Sequence, residues 1–464
     1  MTSAITNTFR SLLLDQLKED IDGNSENYYI GLARADLITN PTIENSVYAQ
    51  NQVRHSLQAV KALNNASHVI KNVTWSTGFA YEAYNDAISA QENFYVINSS
   101  KEVFLCIEQG KNAEGVVQNC VNEPFASHER SVENGGGLAS DGKTFILEDL
   151  YKWRYLFTLS NLAYATYKTN QWIPVKKALA VATIAEEIEQ YALQQASVDG
   201  EILSVEIVSG GSGYSATPDL TIGGDGTLAD FEVTINNGSV VKVEVSQSAL
   251  DASFQHGTGY RRATATLSAG NAVLRPIISP PKGTHDDPTK ILKSVALMLQ
   301  ADFKSDEDAK IRTENDFYQT CLLRDLKKYG DSDGEGGYTP TDSDYDLNVG
   351  SALKILQINK TDGVFGPDDL FSNAENTIQG KVYHYDSAGD TKLYYYQDET
   401  TGFGKFNTGA ALVNRTVTGT GEIIQLFNPD VDATTGDILH INNVGQITRG
   451  SNQTEDIRIV IQLG

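Results

Sequence analysis

The sequence predicts a mainly β protein with flanking helices (α+β), multi-domain, in which small β beads are inserted into a larger framework. The first supporting observation is a repeat. Leu203–Tyr214, with Asp219-Leu-Thr-Ile222 and Gly-Gly-Asp-Gly226 after it, is echoed by Val241–Val245, His256-Gly-Thr-Gly-Tyr260 and Ala263-Thr-Ala-Thr-Leu267. Each copy offers a β-patterned run, a Gly-x-Gly-Tyr turn and a Thr-bearing strand, the mark of a unit that buries its apolar face against its own copy. The second observation is the recurrence of short Val-, Ile-, Tyr- and Phe-rich segments bounded by turn residues. The third is the length of 464 residues, enough for about three domains and a sizeable core.

Residues 1–199 form the first part of the predicted core, a sheet plus helices. Ile5, Phe9, Leu12, Leu13 and Leu17 recur at helical spacing behind a Thr2/Ser3 cap, predicting an amphipathic helix that ends near Gly23. Its apolar stripe needs a partner surface. Tyr28–Ala35 reads as a buried strand, and Val53, Leu57, Val60 and Leu63 as one face of a second helix. Phe94–Ile97 and Val103–Ile107 flank a polar turn as a β-hairpin, and the Asn134-Gly-Gly-Gly137 loop follows. Leu150–Leu159, dense in aromatics, is a core strand, and Ile184–Ala196 is a helix leading into the bead.

Residues 200–274 are the inserted Gly-rich bead. Residues 275–349 are the second part of the core plus an acidic linker. There Arg275–Gly283 is a rigid proline-rich exit, 291–301 returns to apolar core, and Tyr329–Asp346 is a Gly/Asp/Ser/Thr surface loop. Residues 350–412 are a second β insertion containing Asp362–Pro367 and the aromatic strand Lys392–Gln397. Residues 413–464 supply closing strands, Gly436–Ile441 and Asp456–Leu463.

Charge narrows the partners. Sixty acidic residues against 36 basic ones give a net charge of −24, which repels nucleic acid and anionic membrane surfaces. No apolar run is long enough to span a bilayer, and the opening Met1–Arg10 lacks a signal peptide's basic and apolar regions, so a soluble, unexported chain is expected. Cys106, Cys120 and Cys321 are an odd count without metal-ligand spacing, as expected of reduced thiols.

Known catalytic and ligand motifs are not matched in a convincing context. Gly211-Ser-Gly-Tyr-Ser-Ala216 satisfies a dinucleotide fingerprint, but Thr217-Pro-Asp-Leu-Thr-Ile222 continues as turn and strand where a phosphate site needs a helix N-terminus. A β-turn is the better reading. Histidines 55, 68, 128, 256, 285, 384 and 440 include no H-E-x-x-H and no close pair. Asp331–Asp342 mimics a calcium loop, with oxygens at relative positions one, three, five and twelve and Gly336 at six; Asp342 in place of Glu, and Pro340, favour an acidic linker instead. Spacing alone cannot reveal a glycosidase carboxylate pair. Trp153 and Tyr394 are core or interface aromatics before they are sugar platforms, and Arg34, Arg154 and Arg324, set in apolar segments, call for buried pairs or subunit contacts. The expectation is no catalytic, cofactor-binding or metal residue, no cofactor and no small-molecule substrate.

Asn27–Asp36, Trp153–Phe157 with Trp172–Val175, and Gly436–Asn443 with Gln453–Ile459 together resemble, in order and spacing, the gene-eight baseplate wedge protein of T-even-type contractile-tailed phages. Asn315–Arg324 and Lys282–Pro288 resemble segments of the versions from phages of cyanobacteria. The resemblance covers about residues 1–199, 275–330 and 413–464; 200–270 and 350–412 depart from it as insertions. It implies a non-enzymatic virion subunit, assembled in the host cytoplasm, that forms a homodimer and contacts other wedge proteins. Such a subunit takes part in the rearrangement that triggers sheath contraction. The alternatives are a tail-fibre or adhesin module binding host glycans, and a glycan-degrading tail hydrolase.

Overall fold

A computed structural model describes residues 6–23, 28–34, 46–126, 137–138, 144–246, 256–304, 316–330, 341, 343–346, 348–387, 391–450 and 452–463. The fold is mainly β with a few short helices, as the sequence predicts. The chain divides into two compact units: Met1–Asp15, Ser67–Met298 and Val460–Gly464 form one, Gln16–Ala66 and Leu299–Ile459 the other.

In the first unit the expected hairpin is present. Tyr95–Ile97 and Glu102–Glu108 pair antiparallel, Lys152–Thr158 adds beside the latter, and Thr144–Ile146 and Gly137–Leu138 complete five strands. The turn is held by the Asn98 side chain, whose oxygen accepts the Ser100 and Glu102 amides at 3.0 and 2.9 Å. Along Glu102–Glu108 the residues alternate between two cores: Val103, Leu105 and Ile107 enter one, Phe104 and Cys106 the other. Both faces are covered, so the strand reads as an unbroken apolar run. The helix Ala185–Gln195 forms as expected, but its fully buried residues are Gln190 and Gln194. Gln194 clasps the Ala178 backbone from both sides, at 2.8 and 3.1 Å.

The bead consists of two-stranded ribbons: Ile202–Ser209 with Val273–Ile278, Leu220–Gly224 with Ala263–Leu267, Thr227–Ala229 with His256–Thr258, and Phe231–Asn236 with Ser239–Val245. The repeat is visible in space. The Thr-bearing strands of the two copies pair with each other, Leu220 opposite Leu267 and Thr221 opposite Thr266, and both copies feed one core that includes Val205, Val243 and Tyr260. The turns match as well. Gly211 and Gly213 have φ of +65° and +80°, Gly257 and Gly259 +70° and +80°, values that only glycine adopts without strain. Each tyrosine then lies on a glycine of the other copy: a Cβ at Gly270 would be 2.1 Å from the Tyr214 ring, and one at Gly226 2.4 Å from the Tyr260 ring. The first half of the proline-rich exit is extended, in the ribbon strand Val273–Ile278 with Pro276 opposite Val205, and the second half turns, the Gly283 amide donating to the Pro280 carbonyl at 2.9 Å.

The second unit holds a five-stranded antiparallel sheet in the order Val349–Ser351, Leu57–Ala62, Tyr28–Ala33, Asp316–Arg324, Asp437–Thr448. It also holds a closed six-stranded barrel in the order Lys354–Gly363, Lys392–Tyr396, Gln379–Tyr385, Leu370–Asn373, Ala411–Asn414, Gly419–Phe427. The barrel core includes Leu356, Phe371, Val382, Leu393, Tyr395 and Phe406. Ala296–Phe303 is a buried strand, matching the expected return to core, and the closing strands are Asp437–Thr448 and Glu455–Gln462.

Two expectations are corrected. The second helix is Val47–His55, capped by Ser46, whose Oγ accepts the Ala49 amide at 3.1 Å, and it stops at Ser56. Leu57–Ala62 is a strand with neighbours on both sides, Tyr28–Ala33 and Val349–Ser351. The spacing of Val53, Leu57 and Val60 suits a helix, but sheet pairing satisfies the backbone of a segment whose first four residues are buried whichever way they point. The first helix, Asn7–Asp22, forms as predicted with a different face inward. Leu14 and Ile21 are buried, whereas Phe9, Leu12 and Leu13 are exposed.

Candidate functional site

The second unit contains a cleft of about 560 Å³ assembled from five stretches of chain: 54–57, Tyr329, 352–355, 395–397 with 403–406, and 426–434. Its lining is largely apolar, with Phe403, Tyr395, Phe406, Leu426 and Phe427 among the walls. Phe406 belongs to the barrel core, stacked on Phe371 with ring centroids 5.3 Å apart, so that wall is rigid. Phe403 stands out from the surface, 56% exposed, with its ring 4.7 Å from the His55 ring.

Cations collect in this cleft although the chain as a whole is acidic. Arg54, Lys354 and Lys405, with the His55 imidazole beside them, line it against a single carboxylate, Asp432. The Arg54 guanidinium is committed to structure, donating to the carbonyls of Ala433, Thr435 and Gly436 at 3.1, 2.5 and 2.7 Å. Lys354 is differently placed. Its ammonium donates to Gln397 Oε1 at 3.0 Å and makes no ion pair among the described residues. Gln397 is fixed in that orientation because its amide NH2 donates to the Gln379 and Gly404 carbonyls, both at 2.8 Å. Burial lowers the Lys354 pKa, and the Lys405 charge lowers it further. His55 Nδ1 is buried without a hydrogen-bond partner, and burial lowers this histidine too, against the opposite pull of Glu399 and Asp398.

A second cleft of about 420 Å³ lies in the first unit, where Tyr84, Gln91, Glu108, Glu206 and Lys242 contribute to its lining. Three of its five charged residues are matched. Glu108 pairs with Lys152 at 2.9 Å, Lys242 with Glu244 at 2.7 Å, and Glu206 with Arg275 at 2.8 Å. Lys293, pushed down to about 8 by burial, is nearby and satisfied by the Asn85 and Ile88 carbonyls at 2.7 and 2.6 Å. Lys111, also in the lining, makes no ion pair among the described residues, but the cleft is net acidic, with Glu82, Glu108 and Glu206 against Lys111 and Lys242.

The residues singled out from sequence fall into other roles. Gly211–Ala216 is a turn followed by the strand Leu220–Gly224, with no helix for a phosphate. Trp153 and Tyr394 are buried core residues. Arg154 is fully buried and donates to Glu201 at 2.8 Å and Thr284 at 3.2 Å. Arg34 pairs with Asp368 at 2.5 Å under the rings of Tyr318 and Tyr383; Arg324 reaches Asp325 at 3.1 Å.

Cys106, Cys120 and Cys321 are free and buried, and burial pushes their thiols up. His68 pairs with Asp15, His256 with the Ile202 carbonyl and His285 with the Tyr155 carbonyl; His440 is exposed. His384 faces the Tyr394 ring. Most of the Asp331–Asp342 loop, Asn134–Gly136 and His128 lie outside the described residues. Among those described, no three His, Cys, Asp or Glu side chains converge as a metal site, and no helix is long and apolar enough to cross a membrane.

No protein-family model matches the chain, and no curated protein matches it.

Sequence reasoning picked out one wall of the cleft, the aromatic strand Lys392–Gln397. It had no means of joining that strand to Lys354 or His55, which the chain supplies from separate segments.

Proposed function

We propose that the chain is a structural, non-catalytic subunit of a phage tail baseplate wedge, working as a homodimer that holds wedge proteins together through the rearrangement that triggers contraction. One observation carries this reading. Three of the segments that resemble the wedge family, far apart in sequence, are adjacent strands of one sheet: Tyr28 lies opposite Arg324, and Cys321 opposite Ile441. Two more meet in the first unit, where His285 donates to the Tyr155 carbonyl at 2.9 Å and Arg154 to Thr284. The departures from the family, 200–270 and 350–412, supply most of a bead and most of a barrel with cores of their own, although the barrel is closed by Gly419–Phe427 from the stretch that the resemblance covers. A collinear set of short motifs that also packs together is what a shared framework with insertions produces.

The exposed Phe9, Leu12 and Leu13 form an i, i+3, i+4 apolar stripe, the first surface to test for dimer contact. Multi-angle light scattering is expected to give a dimer that enters larger complexes only when other wedge proteins are co-expressed. Replacing Leu12 and Leu13 by Glu is expected to shift it toward monomer. A stable monomer that ignores wedge proteins would overturn the reading, and specific retention of a surface glycan by such a monomer would favour the tail-fibre alternative.

A further inference from the structure

We infer that the cleft bounded by Lys354, Lys405, His55 and Phe403 is a binding site for a small organic carboxylate with an aromatic or alkyl body. Size comes first: about 560 Å³ falls in the range of small-molecule sites, which are mostly apolar with a few fixed polar groups. Charge comes second. Three cations, Arg54, Lys354 and Lys405, against one acid, in a chain with 60 acids and 36 bases, select an anion. Hydrogen bonding comes third. An ammonium has three donors, and Lys354 uses one within the protein, on a glutamine whose orientation is locked from behind.

A carboxylate on the remaining donors would form charge-assisted bonds in a partly desolvated site. Its apolar body would lie against Phe403 and Phe427, covering the exposed Phe403 ring. The second cleft differs in the feature that matters, since three glutamates, Glu82, Glu108 and Glu206, line it against two lysines, and one of these, Lys242, is paired with Glu244. This inference rests on the second unit alone and stands or falls apart from the wedge reading.

The test is isothermal titration of the full chain with 4-phenylbutyrate and with its neutral amide, 4-phenylbutyramide. The acid is expected to bind one site per chain, at least about tenfold tighter than the amide, as a charge-assisted hydrogen bond contributes. Lys354→Met should erase that preference while leaving the amide's affinity unchanged, and Phe403→Ala should weaken both. Should Lys354→Met fail to fold, Lys405→Gln, a change at an exposed side chain, is expected to weaken the acid about threefold and the amide not at all. Equal affinity for acid and amide, an acid preference that survives the lysine variants, or no saturable binding of the acid would overturn the assignment.

Discussion

The bead and the barrel each contain one of the β insertions of the wedge-like reading, yet they solve the problem of a small β domain in opposite ways. The barrel closes on itself, so no strand is left with an unpaired edge, and its core is compact: only four half-buried apolar residues surround the buried set among those described. The bead never closes. Its ribbons have two strands each, and twelve half-buried apolar residues ring its core. An isolated two-stranded ribbon is marginal in water. The bead therefore relies on discrete clasps: tyrosines seated on glycines, and ion pairs to the rest of its unit. Arg154–Glu201, Arg275–Asp86 and Lys152–Glu244 are such pairs, at 2.8, 2.6 and 3.1 Å. Closure spreads stability over a whole wall, whereas clasps concentrate it in a few residues.

Substitutions can break that contrast. Arg154→Met, which leaves Glu201 buried and uncompensated, is expected to cost about 3–5 kcal/mol in urea unfolding, and Arg154→Met with Glu201→Met should recover most of it. Phe371→Ala, at the centre of the barrel, is expected to cost a similar 3–5 kcal/mol or so, but as a packing loss that no partner substitution restores. Gly270→Ala meets both a φ of +96° and the Tyr214 ring, for about 1–3 kcal/mol. Hydrogen exchange should locate that loss in the bead and leave barrel amides unchanged; protection lost equally in both would end the idea that clasps act locally. Tyr214→Phe removes the hydroxyl that accepts the Ala272 amide at 2.8 Å, for about 1 kcal/mol.

The smallest effect sharpens the barrel side. Burial alone would raise the Asp398 carboxyl, but the Lys381 ammonium and Thr400 outweigh it and hold the pKa down to about 2. A depressed acid stabilises the fold above its unfolded pKa of about 4, and that contribution is lost as pH falls through 2. After allowance for solvent screening it amounts to about 1 kcal/mol or less. Urea midpoints between pH 5 and 2 should fall less steeply for Asp398→Asn than for the parent chain.

The legible parts of the fold were those with strong local signals. The hairpin at 94–107, the helix ending at Gln195 and the closing strands needed only period, turn residues and length. The Gly-x-Gly-Tyr turns needed only the chemistry of positive φ. Val53–Leu63 misled because its apolar spacing suits a helix face and a doubly covered strand alike. The cleft was illegible for a different reason: Lys354 and His55 are ordinary residues until the fold seats them beside Phe403 and withholds a carboxylate from Lys354.

From the sequence alone came the β class, the acidic balance, the repeat and the glycine turns, because composition, alternation and backbone freedom are properties of neighbouring residues. Tertiary structure alone decided which faces are buried. It set Leu14 inside and Leu12 outside, matched Arg154 to Glu201 across 47 positions, closed six strands into a barrel and gathered the cations of the cleft. Burial and pairing over long separations depend on which surfaces meet, and no local pattern carries that information.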